Sequence, residues 1–110
     1  MHGFTLKVID FTRFPAPRLK SLGPGSGEEF REDYLIPNID RYGKELQVSL
    51  DGAMGYGSSF LDESFGGLIR KGIDAEIVLY IVENNLICSE DPSLKDEIVE
   101  YIKEAIEQKK

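Results

Sequence analysis

The sequence predicts an α/β protein with a small, mainly parallel sheet of about three to four strands, covered by three helices. The first observation is a set of three short apolar segments rich in β-branched residues, at residues 4–11, 45–51 and 75–82. The second is that each segment is followed by a stretch in which apolar residues recur at helical spacing. Alternating strands and helices indicate parallel strands joined by right-handed crossovers. A chain of 110 residues is large enough for one core, so we predict one domain, residues 1–110.

The composition excludes several classes of function. The net charge is −7 and the basic residues are scattered, so nucleic acid is not an expected partner. No apolar run approaches the roughly 20 residues of a membrane span. The N-terminus lacks a signal-peptide pattern, so we expect a cytoplasmic protein without membrane contact. Cys88 is the single cysteine and His2 the single histidine, so we expect neither a cysteine–histidine enzyme nor a metal site, and no cofactor.

The first strand, FTLKVIDF, is followed by a long loop from Thr12 to Gly25 that proline and glycine keep out of regular structure. The next helix opens with a capping-box pattern, in which Ser26 accepts from the backbone N–H of Glu29. Pro37 is expected to kink or end this helix. The predicted inward face consists of Phe30, Tyr34 and Ile39.

The second strand, ELQVSLD, precedes a helix predicted over roughly residues 59–71. Gly66 and Gly67 lie inside this helix, where each costs about 1 kcal/mol relative to alanine. We therefore expect the helix to approach the sheet or another backbone closely at that point. Its predicted inward residues are Leu61, Phe65, Leu68 and Ile69.

The third segment, AEIVLYIV, is a nearly continuous apolar run, as expected for a strand buried on both faces. The last helix is predicted to begin with Asp91 as its cap and Pro92 at its first position. Its predicted buried face consists of Leu94, Ile98, Tyr101 or Ile102, and Ala105.

The loops at the carboxyl ends of the strands hold the candidate ligand-binding residues, because parallel α/β sheets bind ligands at that edge. In one interpretation, Gly23, Gly25 and Ser26 cradle a phosphate with backbone N–H groups, although no lysine follows as in a P-loop. In another, Asp10 and Asp51 form an acidic magnesium pocket. The alternative is that the loop and Ser26 only cap a helix, and that each aspartate only ends a strand.

Ser58 and Ser59 precede a predicted helix and have two competing roles. A serine is a common helix cap, and Ser59 followed by Asp62 resembles a capping box. A phosphate on either serine would meet the positive end of the helix dipole, but it would also face Asp51, Asp62 and Glu63. Such a charge conflict suits a switch in which phosphorylation ejects a partner. The spacing alone leaves both roles open.

The stretch VSLDGAMGYGSSFLDESFGGLIRKG resembles the STAS-like domain family of unknown function. The shared pattern is a strand ending in Asp, a short loop, Ser-Ser-Phe, an acidic pair, and Phe-Gly before a Leu. The upstream SGEEFREDYLIPNI is similar to the first helix of that family, so the resemblance covers residues 25–72. It implies the fold of the anti-sigma factor antagonists, a right-handed β-α superhelix.

In the antagonists, a partner kinase of the histidine-kinase-like ATPase superfamily phosphorylates a serine in Asp-Ser-Ser-Gly, and the phosphate prevents binding to the anti-sigma factor. The resemblance places Gly57 at the Asp position and Phe60 at the Gly position, and it makes Ser59 the match to the usual acceptor. Both departures alter the surroundings of the serines.

Two functions from different classes are therefore carried forward. The first is a non-enzymatic regulatory module that binds a protein, such as an ATPase-domain kinase or an anti-sigma-like factor, and is switched by phosphorylation of Ser59 or Ser58. The second is a small-molecule or nucleotide-binding domain at the carboxyl edge of the sheet. A subunit whose sheet edge is capped by a partner or a second copy is a further alternative. The residues expected to bind the partner are Asp51, Gly57, Phe60, Asp62 and Glu63.

Overall fold

A three-stranded parallel sheet in the order β1-β2-β3 lies at the centre of the protein, seen in a computed structural model that describes residues 4–110. His2 lies outside the described residues. The strands are β1 (Phe4–Lys7), β2 (Leu46–Ser49) and β3 (Leu86–Ile87). Because β2 pairs with both neighbours in parallel, the predicted α/β class with a small parallel sheet is confirmed.

Within residues 4–110, five helical elements surround the sheet, and two of them contain a wider π-helical turn. Helix α1 is a single turn, while α2 and α3 each run through three consecutive segments without a break in the chain of helical residues. The bounds are α1 (Val8–Phe11), α2 (Gly27–Phe30, Arg31–Leu35 and Ile36–Tyr42), α3 (Ser58–Leu61, Asp62–Gly66 and Gly67–Arg70), α4 (Ala75–Asn84) and α5 (Ser93–Lys109). Short 3-10 turns occupy Lys20–Leu22 and Gly43–Glu45.

The third predicted strand is wrong, because residues 75–82 lie in helix α4. The carboxylate of Asp74 accepts a hydrogen bond from the backbone N–H of Glu76 at 2.9 Å and caps the helix. Val78, Ile81 and Val82 form its buried face, at helical spacing. The third strand instead consists of the next apolar pair, Leu86–Ile87.

The first predicted strand is shorter than expected, because the extended backbone ends at Lys7. The following residues turn into α1, in which the N–H of Thr12 donates to the carbonyl of Val8 at 2.8 Å. Asp10 therefore lies on a helical turn and is exposed, rather than ending a strand.

Helix α2 begins as predicted, since Ser26 Oγ accepts a hydrogen bond from the backbone N–H of Glu29 at 3.1 Å. It does not end at Pro37 but continues to Tyr42. The π-helical turn lies directly before the proline, and its wider backbone gives the ring room within a continuous helix. The side chain of Asn38 donates to the carbonyl of Tyr34 at 2.7 Å, which satisfies one carbonyl of the turn before the proline.

One hydrophobic core joins the sheet to helices α2, α3, α4 and α5. Its aromatic centre is formed where Phe30 stacks against Phe11 at 5.6 Å and lies 5.8 Å from Phe60, both measured between ring centroids. Helix α5 packs on α3 and α4. Its predicted buried face is confirmed, with Leu94, Ile98, Ile102 and Ala105 inside.

The start of α5 differs from the prediction by one residue. The helix begins at Ser93 and Pro92 occupies the cap position, while the carboxylate of Asp91 accepts from the N–H of Ser93 at 3.2 Å. Over residues 4–110, none of the helices combines the length and apolarity needed to cross a membrane.

Candidate functional site

The start of helix α3 is set by Gly57, not by a serine. Gly57 occupies the cap position with an extended backbone, and Ser58 and Ser59 are the first two helical residues. A Cβ on Gly57 would lie 3.1 Å from the carbonyl oxygen of Ala16, so a larger residue here would require the neighbouring loop to shift slightly. The predicted capping role of the serines is therefore wrong. Ser58 is exposed and Ser59 is half-buried.

The loop over residues 12–25, called the strap from here on, is fixed to the starts of both long helices. The carbonyl of Pro15 accepts from the N–H of Gly57 at 2.9 Å, which holds the strap on α3. The carbonyls of Pro17 and Arg18 accept from the N–H groups of Gly27 and Glu28 at 2.9 and 3.0 Å, which holds it on α2. The strap thereby satisfies backbone donors that the first helical turns leave free.

Asp62 and Glu63, the acidic pair after the serines, are paired internally with arginines. Asp62 contacts Arg18 at 3.0 Å and Arg70 at 3.3 Å through its two carboxylate oxygens. Glu63 contacts Arg31 at 2.5 Å and Arg18 at 3.2 Å. The charge expected to repel a phosphate on the serines is therefore largely neutralised by neighbouring guanidinium groups.

Arg31 is the buried member of this network, with 5% of its side chain exposed. Its guanidinium donates to the carboxylate of Glu63, to the backbone carbonyl of Glu63 at 2.9 Å, and to Glu32 at 2.8 Å. Burial acts to lower the pKa of Arg31, but the hydrogen bonds to Glu32 and Glu63 raise it above its ordinary value. The hydrogen bond from Arg31 lowers the pKa of Glu32. These contacts tie α2 to α3 at the point where each helix enters its π-helical turn.

The glycine pair inside α3 makes room for this network. A Cβ on Gly67 would lie 2.5 Å from a guanidinium nitrogen of Arg31. A Cβ on Gly66 would lie 2.6 Å from the carboxylate of Asp62 and 3.4 Å from the backbone carbonyl oxygen of Tyr101. A close approach was predicted here, and α5 does come near, but the nearest neighbours are charged side chains rather than the sheet.

A polar cavity of about 210 Å³ opens beside Ser58, between the strap, α3 and α5. Tyr101 lies in its wall and donates a hydrogen bond to Glu97 at 2.5 Å, which raises the pKa of Tyr101 to about 12. A hydrogen bond with the Ser58 hydroxyl acts to lower the same pKa. The lining residues are Arg18, Ser58, Asp62, Arg70, Tyr101, Glu104 and Gln108. An exposed hydroxyl thus shares a cavity with two arginines.

A second cavity, of about 350 Å³, lies at the carboxyl ends of β2 and β3. Asp51 lines it and accepts from the backbone N–H of Glu90 at 3.1 Å, so the aspartate joins the loops that follow the two strands. The side chain of Glu90 in turn accepts from the N–H of Gly52 at 2.8 Å. The cavity is lined by Leu50, Asp51, Ala53, Gly55, Tyr56, Glu90, Asp91 and Leu94.

Tyr56 closes the second cavity on one side. Its hydroxyl donates to the carbonyl of Leu50 at 2.7 Å, and burial raises the pKa of the phenol well above its ordinary value. Among residues 4–110, no group of three or more histidine, cysteine, aspartate or glutamate residues is arranged to hold a metal ion. Cys88 is free and half-buried, and burial raises the pKa of its thiol.

The structure brings only some of the sequence-predicted site residues together. Asp51 and Asp62 line separate cavities, and exposed Asp10 lines neither. Phe60 was expected on the partner-binding surface, but it is 0% exposed in the aromatic core, where no partner can touch it. Gly57 is covered by the strap.

The glycine-rich loop is likewise filled by the chain itself. Ser26 is buried and its hydroxyl is engaged with Glu29, while the N–H groups of the first turn of α2 donate to the strap. Gly25 has a φ of +79° and its Cβ position would lie 2.7 Å from Thr12 Oγ1. The backbone at Gly23 also has a positive φ, and nothing lies within 4 Å of its Cβ position. These contacts leave the phosphate interpretation little support.

Sequence reasoning missed the three arginines of the network, Arg18, Arg31 and Arg70, and the structural role of the strap. The paired glycines were the one available signal, because they indicated that something approaches α3 closely. Arg31 and Arg18 lie 32 and 45 positions from Glu63, so the spacing of the motif could not identify them.

The match to known families covers the centre of this site. Residues 26–83, which include α2, β2, the serines, the acidic pair and all of α4 except its last residue, match the profile described as a STAS-like domain of unknown function (DUF4325). Searches of curated proteins and of solved structures found no match. Because the matched segment spans more than half of the 110 residues, the chain belongs to the family of STAS-like domains of unknown function.

Proposed function

We propose that this domain is a non-enzymatic regulatory module that binds a protein partner near the start of α3 and is switched by phosphorylation of Ser58 or Ser59. The observation that carries the proposal is the placement of exposed Ser58 in a cavity lined by Arg18 and Arg70. Two arginines beside a hydroxyl at a helix start provide the surroundings that a phosphoserine needs.

A phosphate on Ser58 would act through the ion pairs around it. It carries a charge of about −1.5 to −2 at neutral pH and three strong acceptor oxygens. Arg18 and Arg70 both contact Asp62, and the phosphate would compete with this carboxylate for them. Because Arg18 belongs to the strap, the modification would alter both the charge of the cavity and the hold of the strap on α3.

Exposure favours Ser58 over Ser59 as the acceptor, although the family resemblance favours Ser59. A kinase must reach the hydroxyl, and Ser58 is exposed whereas Ser59 is half-buried. A kinase of the histidine-kinase-like ATPase type, or an anti-sigma-like factor, is the class of partner that the resemblance implies. The side chains of the site are engaged in internal ion pairs, which supports a binding role rather than turnover of a substrate.

The proposal is tested first by mass spectrometry of the peptide containing Ser58 and Ser59, on protein purified from its native host. The second step compares capture of a partner by the wild type, Ser58→Ala and Ser58→Asp. Ser89→Asp is the matched control, since it adds the same charge at another exposed serine. We expect the wild type, Ser58→Ala and Ser89→Asp to capture the partner, and Ser58→Asp to lose this capture. An unmodified peptide under several growth conditions, together with equal capture by Ser58→Asp, would refute the switch.

The cavity at the carboxyl ends of β2 and β3 favours a second candidate, the binding of a small molecule or nucleotide. It lies where parallel α/β sheets bind ligands, and its volume is about 350 Å³. Three acidic residues in its wall, Asp51, Glu90 and Asp91, favour a ligand with a cationic group over a bare phosphate. Thermal-shift screening with nucleotides, with and without magnesium, tests this candidate, because a ligand of the folded state raises the melting temperature.

A further inference from the structure

Exposed apolar side chains are concentrated on the strap. Among the described residues, seven large hydrophobic side chains are exposed, and three of them belong to the strap. Phe14 is 67% exposed and Leu22 is 68% exposed. A fourth, Met54 at 68% exposure, lies in the loop that donates its backbone N–H to the carbonyl of Arg13 at 2.9 Å. The set Phe14, Leu19, Leu22 and Met54 is called the strap surface below.

The strap surface rests on a fixed support. Its backbone is hydrogen-bonded to the starts of α2 and α3, and Arg18 forms ion pairs with Asp62 and Glu63. Pro15 is buried beneath it, and the absence of a side chain at Gly57 allows the chain to lie directly on α3. Exposed apolar groups on an ordered segment lose little conformational freedom on binding, which favours affinity. Three of these apolar groups fall within residues 14–22, and exposed apolar groups that form a patch mark interaction sites.

The charge of the strap is opposite to that of the whole protein. Residues 12–25 contain Arg13, Arg18 and Lys20 and no acidic residue, whereas the chain has a net charge of −7. Arg13 and Lys20 are exposed next to Phe14 and Leu19 in the sequence. A partner that covers the apolar groups would therefore bring its own carboxylates against these cations.

We propose that the strap surface is a docking site for a protein segment that combines apolar side chains with acidic ones. An anionic membrane is an extended surface that would also face the acidic remainder of the chain, whose net charge is −7, whereas a short acidic segment of a protein would meet only the cations of the strap. This inference deepens the proposed function, because it rests on the domain being a partner-binding module and names the chemistry of that partner. Phe60, which was expected to bind the partner, is buried, and the inference assigns this role to the strap, which covers Gly57.

The test is selection of binders from a displayed library of random peptides of about 16 residues against the full chain. We expect selected peptides to carry both apolar and acidic residues. Phe14→Ser and Met54→Ser should each weaken binding by about tenfold or more. Tyr80→Ser is the matched control, because Tyr80 is also an exposed aromatic residue but lies on α4, and this variant should bind as the wild type does.

Salt and charge provide a second readout. Raising the salt from about 50 to about 500 mM should weaken binding severalfold, and Arg13→Gln with Lys20→Gln should reduce that dependence. Circular dichroism verifies that each variant is folded. Peptides without acidic residues, binding unaffected by Phe14→Ser, or a selection without any strap-dependent binder would overturn the inference.

Other occupants of the surface are distinguishable outcomes. Binding to vesicles with anionic phosphatidylglycerol that Phe14→Ser abolishes would identify a membrane and overturn the inference. So would self-association in light scattering that the same variant abolishes. Strap-dependent peptide binding that is equal in Ser58→Asp supports the docking site while removing the switch. Partner binding that is sensitive to phosphorylation but unchanged by Phe14→Ser supports the switch and overturns the docking site.

Discussion

Breaking the ion pair between Arg31 and Glu63 by removing one partner should clearly destabilise this protein, because the arginine is buried. We consider the substitution Arg31→Met, which retains much of the apolar length of the side chain and removes its charge. Arg31 is 5% exposed, and the change removes its contacts to both the carboxylate and the backbone carbonyl of Glu63. Glu63, which is 15% exposed in the wild type, would keep Arg18 at 3.2 Å and Arg70 at 4.0 Å as partners.

The magnitude follows from these contacts. Removing one member of a buried ion pair costs about 3–5 kcal/mol when the other charge is left without a partner. Because Arg18 still compensates Glu63, we expect the free energy of unfolding to fall by about 2–4 kcal/mol. In a domain of this size that corresponds to a melting temperature lower by about 8–20 °C. The control Arg41→Met is on the exposed part of α2, where the guanidinium lies over the ring of Tyr42 at 5.6 Å, and it should change the stability by less than about 1 kcal/mol.

The assay is urea unfolding followed by circular dichroism, in a double-mutant cycle of Arg31→Met, Glu63→Gln and the combined variant. The two single losses should not add, and the coupling free energy should be at least about 1 kcal/mol. Additive losses, or an Arg31→Met variant as stable as Arg41→Met, would show that the network does not join α2 to α3.

Two further predictions concern the same helices. Gly27→Ala should lower the free energy of unfolding by about 1–3 kcal/mol, because its Cβ would lie 2.6 Å from the backbone carbonyl oxygen of Phe60. The control Asp33→Ala, on an exposed part of α2, should lower it much less in the same urea assay. The hydrogen bond from Arg31 lowers the pKa of Glu32 in the folded state. Ionised Glu32 therefore stabilises the folded state above its ordinary pKa of 4.5, and this stabilisation is lost as the pH falls through the folded value. Between about pH 6 and about pH 3, Glu32→Gln should therefore lose less stability than the wild type, and an equal loss would contradict this assignment.

The fold class followed from the sequence because the buried faces of its elements are periodic. Leu94, Ile98 and Ile102 recur at helical spacing, and all three are buried in α5. The run over residues 75–82 misled this reasoning, because an apolar stretch of eight residues fits a buried strand and a helix equally well. The deciding signal was local: Asp74 directly precedes the run and caps it, as it would not in a strand.

The site could be predicted only in part, because its chemistry depends on pairs distant in sequence. Ser58 and its helix were located correctly from the motif. The partners of the acidic pair were not, since Arg18 lies 44 positions from Asp62 and Arg31 lies 32 positions from Glu63. No periodicity connects such residues, and their pairing is decided by how α2 packs on α3. For the same reason, a phosphate on Ser58 was expected to meet bare carboxylates, whereas the structure surrounds them with arginines.

The strap connects the proposed switch at Ser58 with the proposed docking site on the strap surface through a single side chain, Arg18. Its carbonyls occupy the backbone donors at the start of α2, which removes the phosphate cradle that its glycines had indicated. The same segment carries the exposed apolar groups of the strap surface, and Arg18 holds it to Asp62 and Glu63. Since Arg18 also lines the cavity of Ser58, a new negative charge on that serine would compete directly for the residue that anchors the strap. We therefore expect a charge change at the helix start to alter the proposed docking surface on the neighbouring loop.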